Sequence, residues 1–306
     1  MRIAVFGSGG VGGYFGGRLA LSGEDVTFIA RGEHLRAIRA TGLKVDSTNG
    51  DFLIHPAQAT SEPAEVGPVD LIILGVKAWQ VPEAARAMKP MIGSASTVLP
   101  LENGVEATSQ LTAELGRAAV IGGLCKIVSF VVGPGHIRHA GFDPTIMYGE
   151  LDNSRSDRIG RIHQIFTSAG VSATIADDIN VALWQKFLFI AAYSGVGALH
   201  RSPAGGLRSD PEIRSQLWQA MKEIAALAQA RGIKLPEDAL EKAMASVDGL
   251  PEDATSSMQR DITAGKPSEL ESQTGAVVRM GRESGVGTPI NQFIYEALRA
   301  DGAKVP

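Results

Sequence analysis

The residues with the plainest chemical meaning come early in the chain. Gly7-Ser8-Gly9-Gly10-Val11-Gly12 matches the pattern G-x-G-x-x-G. It follows the apolar run Ile3–Phe6 and opens a helical pattern over Val11–Ser22, the context in which a helix N-terminus and its unsatisfied amides receive a pyrophosphate. In such a loop Gly7 makes the tight turn, Gly9 lets the backbone approach the phosphates, and Gly12 lets the helix pack closely on the sheet. A plain strand-to-helix turn without ligand is the competing reading. The next apolar run, Val26–Ala30, ends on Arg31. An NAD(H) site carries a carboxylate near this position, about 20 residues past the loop, to accept from the ribose 2′-hydroxyl. A guanidinium there pairs instead with a 2′-phosphate, which points to NADP(H). The alternative is a solvated arginine paired with Glu33.

Three further polar residues stand where chemistry is expected. Lys77 follows the third apolar run, and Asn103 follows the fourth in Glu102-Asn103-Gly104. In an open α/β sheet, ligands bind outside the carboxyl ends of the strands, so both residues face a cofactor crevice. A helix-capping lysine and a turn asparagine are the structural alternatives. Lys186 is a lone cation in Leu183-Trp184-Gln185-Lys186-Phe187-Leu188. Its stem could pack while its head reaches water, or the ammonium could act as an acid.

These residues need a scaffold, and its rhythm is visible. Short apolar runs at Ile3–Phe6, Val26–Ala30, Leu71–Val76 and Thr97–Leu99 alternate with helical patterns at Val11–Ser22, Glu33–Ala40, Val81–Met91 and Val105–Leu115. The alternation predicts an α/β fold with a parallel sheet covered by helices on both faces, a Rossmann-type dinucleotide-binding domain. Runs at Ala119–Leu124, Ile127–Val132, His136–His139 and Thr145–Tyr148, separated by Gly-Pro-Gly and Gly-Phe-Asp-Pro, read as antiparallel strands completing the same sheet. Helical patterns then follow at Asp157–Ala169, Asp178–Leu199, Glu212–Arg231, Pro236–Val247, Glu269–Glu283 and Pro289–Arg299. The expected boundary divides an α/β domain over 1–176 from an all-helical domain over 177–306.

Composition narrows the function classes. The chain has 306 residues and a formal net charge of −4, which gives no electrostatic case for nucleic acid or an anionic membrane. One cysteine excludes an internal disulfide framework and fits a reducing, cytoplasmic setting. Met1-Arg2 leads directly into Ile3–Phe6, so no signal-peptide core is expected. The apolar stretch Phe187–Leu199 is too short for a membrane span of roughly 20 residues. His136 and His139 lie three apart on a predicted strand and point to opposite faces, so no metal site is expected. Cys125 reads as a small buried residue and Ser194-Gly195 as no nucleophile elbow.

Taken together, Gly7–Gly12, Arg31, Lys77-Ala78-Trp79-Gln80, Asn103-Gly104, Leu183-Trp184-Gln185-Lys186, Ser256-Ser257-Met258-Gln259-Arg260-Asp261 and Glu269 resemble the 2-dehydropantoate 2-reductases, or ketopantoate reductases, over nearly the whole chain. The resemblance implies an NADPH-dependent reduction of a 2-oxo acid, 2-dehydropantoate to (R)-pantoate, in a cleft between the two domains, as a step toward pantothenate. It implies that Lys186 is the proton donor. Lys77 and Asn103 would contact cofactor and substrate, Ser257 the substrate carboxylate, and Glu269 would act as a ligand-side carboxylate in the cofactor site. Family members carry asparagines one and two turns after the lysine and another in the following segment. Here those positions hold Ile190, Ser194 and, nearby, Ala204. Of these only Ser194 keeps a polar group for substrate, so a 2-oxo acid with a more apolar side chain is the alternative substrate. A non-catalytic NADPH-binding regulator is the alternative function. The apolar helical domain leaves room for a homodimer.

Overall fold

The computed structural model describes residues 1–306. The chain begins with β1 (Arg2–Phe6), α1 (Gly10–Leu21), β2 (Asp25–Ile29) and α2 (Gly32–Thr41), followed by β3 (Leu43–Ser47), β4 (Phe52–Ile54) and β5 (Gln58–Thr60). Next come α3 (Pro63–Val66), β6 (Leu71–Leu74), α4 (Val81–Ala87), β7 (Thr97–Pro100) and α5 (Ala107–Leu115). They are followed by β8 (Gly122–Gly133), β9 (His136–Gly149), α6 (Asp157–Ser168) and β10 (Ser172–Ile175). Two units emerge, one of Met1–Glu102 with Glu106–Ile179, the other of Asn103–Val105 with Asn180–Pro306.

In the first unit, β5-β2-β1-β6-β7 form one parallel sheet. Ile3 and Val5 of β1 join an apolar cluster with Phe15 and Leu19 of α1, while Ala4 and Phe6 join Val81 and Ala85 of α4 on the opposite face. Strands covered on both sides have no polar face, which is why Ile3–Phe6 and Leu71–Leu74 are continuous apolar runs. Each fully buried isoleucine or leucine side chain contributes about 1.5–3 kcal/mol. The neighbours of β1 are β2 and β6, so the strand order reverses direction at the carboxyl ends of β1 and β6, where open α/β sheets bind ligands.

The later strands do not complete this sheet, contrary to expectation. They build a second one, ordered β10-β9-β3-β4, with β8 pairing β9. β8 and β9 are antiparallel, but β9 runs parallel to both β3 and β10. The predicted breaks at Leu124–Ile127 and at Gly141-Phe142-Asp143-Pro144 are absorbed by a register shift between Lys126 and Val128, so four expected strands become two long ones. β3, which supplies the partner, is a mixed run of five residues that its own composition does not announce.

The second unit is helical: α7 (Ile179–Leu199), α8 (Ala204–Ser209), α9 (Pro211–Ala230), α10 (Ala239–Asp248), α11 (Ser257–Thr263), α12 (Thr274–Ser284) and α13 (Pro289–Ala300). At the start of α9, Asp210 accepts from the amides of Glu212 and Ile213 with Pro211 in the first turn, a strong N-terminal signal. α12 begins five residues later than the pattern predicts, because Glu269–Gln273 fold as turns, with Ser272 N–H donating to Glu269 C=O at 3.1 Å. α7 is apolar on nearly every side, and an all-round apolar helix belongs in a core. Its 21 residues exceed the apolar stretch seen in the sequence and reach membrane-spanning length, but Phe187, Leu188, Ala191, Ala192 and Val196 are packed inside the second unit's apolar cluster.

Candidate functional site

The turn after β1 is held by close packing. Gly7 has φ +95°, a backbone region that L side chains rarely adopt, and a Cβ there would lie 2.8 Å from the carbonyl oxygen of Gly75. The turns after β1 and β6 are therefore in contact at the reversal point of the sheet. A Cβ on Gly12 would strike the Gly7 carbonyl, so α1 approaches its strand only because that side chain is absent. Gly9 caps α1, and a Cβ on it would meet nothing within 4 Å. The open side of the loop is thus at Gly9, ahead of the first-turn amides of α1 that no helix satisfies internally.

The loop's other groups are tied to the protein. Ser8 is 3% exposed and its Oγ donates to Ile29 C=O at 3.0 Å. Gly9 C=O accepts from Gly13 N–H at 2.8 Å, and Gly10 C=O accepts from Ser129 Oγ at 2.9 Å. Val11 is half-buried behind them. These residues fit a dinucleotide pyrophosphate: an amide-lined helix start with small residues and an unobstructed approach.

Arg31 caps α2 at the end of β2. Its guanidinium is exposed and lies 3.5 Å from Glu83. Glu33, the partner expected from sequence proximity, pairs with Arg36 instead, and that guanidinium holds its carboxyl below the usual range. Lys77 caps a short 3-10 turn over Ala78–Gln80, its N–H donating to Gln80 Oε1 at 3.1 Å and its ammonium lying 5.8 Å from the Trp79 ring centre. Beside it Glu102 is buried, and its Oε1 accepts from Val76 N–H at 3.1 Å, tying the end of β7 to the turn after β6. The sequence marks Glu102 only as a neighbour of Asn103, since a lone carboxylate before Asn-Gly gives no sign that it is buried.

In the second unit, Asn103 is half-buried, with Gly104 at φ +112° beside the Ser272 carbonyl and Val105 packed on the apolar core. Lys186, Ile190 and Ser194 fall at i, i+4 and i+8 and share one face of α7. Lys186 and Ile190 are half-buried, whereas Ser194 is 1% exposed and its Oγ has no hydrogen-bond partner. Ser256 caps α11 by accepting from Gln259 N–H at 3.0 Å, which leaves Ser257 half-buried in the first turn. Glu269 is buried and accepts from Gln273 Nε2 at 3.4 Å. Ala204 is fully buried at the start of α8.

Two residues here escape sequence reasoning. Thr274 Oγ1 and Gln273 Oε1 are buried with no hydrogen-bond partner, and a Cβ at Gly195 would lie 3.0 Å from that threonine oxygen. The missing side chain at Gly195 brings α12 against α7, and nothing in either segment's periodicity signals the pairing. No cluster of three or more His, Cys, Asp or Glu residues is arranged to hold a metal ion. His139 instead sits 2.8 Å from Ser47 Oγ, and His136 2.8 Å from Asp46.

Known proteins resemble the chain over its full length. Residues 3–153 match the family described as ketopantoate reductase PanE/ApbA, and residues 178–301 match its C-terminal counterpart. An uncharacterized oxidoreductase of Bacillus subtilis, YkpB, is 29% identical over 98% of both chains. A 2-dehydropantoate 2-reductase of Nostoc is 26% identical over 97% of this chain and 94% of its own. Among solved structures, a PanE/ApbA family ketopantoate reductase from Ralstonia eutropha is 32% identical, with a TM-score of 0.90 and coverage of 98% of each chain.

Proposed function

Since the chain belongs to the ketopantoate reductase family, a family of dinucleotide-dependent oxidoreductases, we propose that it reduces a 2-oxo acid to the 2-hydroxy acid with NADPH, 2-dehydropantoate to (R)-pantoate being the first candidate reaction. The observation that carries the reading is Lys186, the sole cation of an otherwise apolar helix, half-buried and one turn from Ile190.

Residues 1–176 chiefly serve the cofactor, and residues 177–306 chiefly the substrate. Gly7–Gly12 receive the pyrophosphate and Arg31 the 2′-phosphate, exchanging its exposed contact with Glu83 for a charge-assisted pair. When bound, the nicotinamide supplies the hydride. Negative charge then develops on the substrate's carbonyl oxygen, where the Lys186 ammonium stabilises it and donates a proton. Lys77 and Asn103 orient the reacting groups, Ser257 holds the substrate carboxylate, and Glu269, steadied by Gln273, borders the cofactor site. Ser194 adds a hydroxyl to the substrate side. The single cysteine and the reaction fit a cytoplasmic role in pantothenate synthesis.

One observation favours a second substrate reading. Ile190 presents an apolar side chain one turn beyond the proposed proton donor, and an apolar wall leaves a substrate hydroxyl without a partner. The deciding experiment is a panel of 2-oxo acids with NADPH, followed at the nicotinamide absorbance, in the wild type and in Ile190→Asn. Preference for ketopantoate supports the first reading. Preference for apolar 2-oxo acids, moved toward ketopantoate by Ile190→Asn, supports the second. NADPH binding without turnover of any 2-oxo acid would overturn both and leave a cofactor-binding regulator.

A further inference from the structure

His34 lies in the first turn of α2, three residues past Arg31, and is half-buried against two other segments. Its Nε2 is 2.8 Å from Ser8 C=O, and its Nδ1 is 3.0 Å from Gly135 N–H. The partners decide the protonation state. A backbone N–H can only donate, so Nδ1 must be bare; a backbone C=O can only accept, so Nε2 must carry the hydrogen. The ring is therefore the neutral Nε2–H tautomer.

Both partners of the ring are themselves fixed. Gly135 has φ +67°, its C=O accepts from Lys44 N–H at 2.8 Å, and a Cβ on it would lie 3.0 Å from that of Ala37 in α2. The hairpin turn between β8 and β9 is thus seated on α2, and His34 joins it to the glycine loop. On the loop side, a trans peptide is planar, with C=O and N–H pointing in opposite directions. Anchoring Ser8 C=O to His34 therefore turns Gly9 N–H away from the ring, and a Cβ on Gly9 would meet nothing within 4 Å. The same geometry applies to the next two peptides, whose Gly9 and Gly10 carbonyls are taken by Gly13 N–H and Ser129 Oγ. Without such anchors a peptide flip would aim a carbonyl oxygen at an anionic ligand.

We propose that His34 is a positioning residue for the dinucleotide: as the neutral Nε2–H tautomer it fixes the Ser8–Gly9 peptide so that the loop presents amide hydrogens, not carbonyl oxygens, to the pyrophosphate. The proposal rests on the reading of Gly7–Gly12 as the cofactor loop. Nothing in the G-x-G-x-x-G pattern requires a histidine; the residue acts through the backbone of Ser8.

The test is a titration of NADPH, read by nucleotide fluorescence, against the wild type, His34→Leu and His34→Gln, with thermal unfolding measured in parallel. The glutamine amide carries one N–H donor and one carbonyl acceptor and can replace both contacts of the imidazole; leucine replaces neither. His34→Leu should weaken NADPH by roughly tenfold, the worth of the half-buried backbone contacts it removes. His34→Gln should stay within about threefold of the wild type, since it keeps those contacts. Unchanged binding in His34→Leu, or equal weakening in both variants, would overturn the proposal. Should His34→Leu fail to fold, nitrogen-15 spectra of wild-type His34 decide together with the glutamine variant. A neutral Nε2–H signature with retained binding in His34→Gln supports the role, and an Nδ1–H or imidazolium signature overturns it. A wild-type protein that binds neither NADPH nor NADH would instead overturn the assignment of the loop itself.

Discussion

Ser129 Oγ donates to Gly10 C=O at 2.9 Å across 119 residues of sequence, and the Ser129 carbonyl lies where a Cβ on Gly10 would have to sit. The middle of β8 therefore rests on the glycine loop, and the second sheet of the first unit is part of what holds the loop. The strand-loop-helix motif does not stand alone.

Two adjacent glycines should consequently behave differently. Gly10→Ala forces its methyl group into the backbone of β8, which cannot move without disturbing the hairpin, so it should destabilise the fold by about 1–3 kcal/mol, the usual range for overpacking. Gly9→Ala meets nothing within 4 Å and should leave thermal unfolding unchanged. Its methyl group would stand on the open side of the loop, so NADPH affinity should fall. Unfolding curves and NADPH titrations of the two variants check both halves of the contrast. Loss of stability in Gly9→Ala would count against an open approach there.

The proposed preference for NADPH rests on Arg31. Arg31→Ala should weaken NADPH by roughly 10–100-fold, the worth of charge-assisted hydrogen bonds to a phosphate, while NADH affinity changes little. Glu83→Gln removes the carboxylate that competes for the guanidinium at 3.5 Å and should tighten NADPH by no more than about twofold, since the pair is exposed. Equal weakening of NADPH and NADH in Arg31→Ala would return the residue to the solvated surface.

The strand, glycine turn and helix at the N-terminus were legible because their signals are local. A buried strand, a glycine turn and a helix start lie within about 20 residues, and each obeys short-range rules. The second sheet was not legible, because its membership is decided by pairing between distant segments: Lys44 with His136, Ser172 with Thr145. A five-residue strand such as Leu43-Lys44-Val45-Asp46-Ser47 is too short and mixed to declare itself. In the second unit the apolar character of α7 hid its facing, so periodicity could not tell which neighbours Lys186 or Gly195 would meet. The carboxylate of Glu102 and the imidazole of His34 escaped for the same reason, since each is defined by a backbone group far away in sequence.

That second sheet carries a pH dependence. Lys44 chiefly, with His136 and Arg138, holds the Asp46 carboxyl down at about 2, against an ordinary value of 3.8. A depressed carboxylate contributes stability above its unfolded pKa and loses it as pH falls through the folded one. The contribution of Asp46 should be complete above about pH 5 and disappear between about pH 4 and 2. Asp46→Asn should therefore lower the Tm at pH 7 and converge with the wild type near pH 2. The gap should be modest, because the groups are solvated. A gap that persisted unchanged at pH 2 would show that the asparagine disturbs packing and not charge.

The proposed proton donor is tested at Lys186. It is half-buried on the face of α7 that continues to Ile190 and Ser194, so its removal need not open the apolar cluster formed by Phe187, Leu188 and Ala191. Lys186→Met keeps the unbranched apolar stem and deletes only the ammonium. Thermal unfolding should change little, and NADPH affinity should be unaffected, because the phosphates are assigned to Gly7–Gly12 and Arg31. Turnover of the best 2-oxo acid found should drop by roughly 10²–10⁴-fold, the span expected for a positioned general acid. Lys186→Ala should lose a similar factor, and the agreement between the two variants separates charge from packing. Lys186→Arg keeps the charge but holds its protons too tightly to give one up, so it should bind substrate and still turn over slowly. Wild-type rates in Lys186→Met and Lys186→Ala would move the search for the proton donor to Lys77, which follows the buried strand β6.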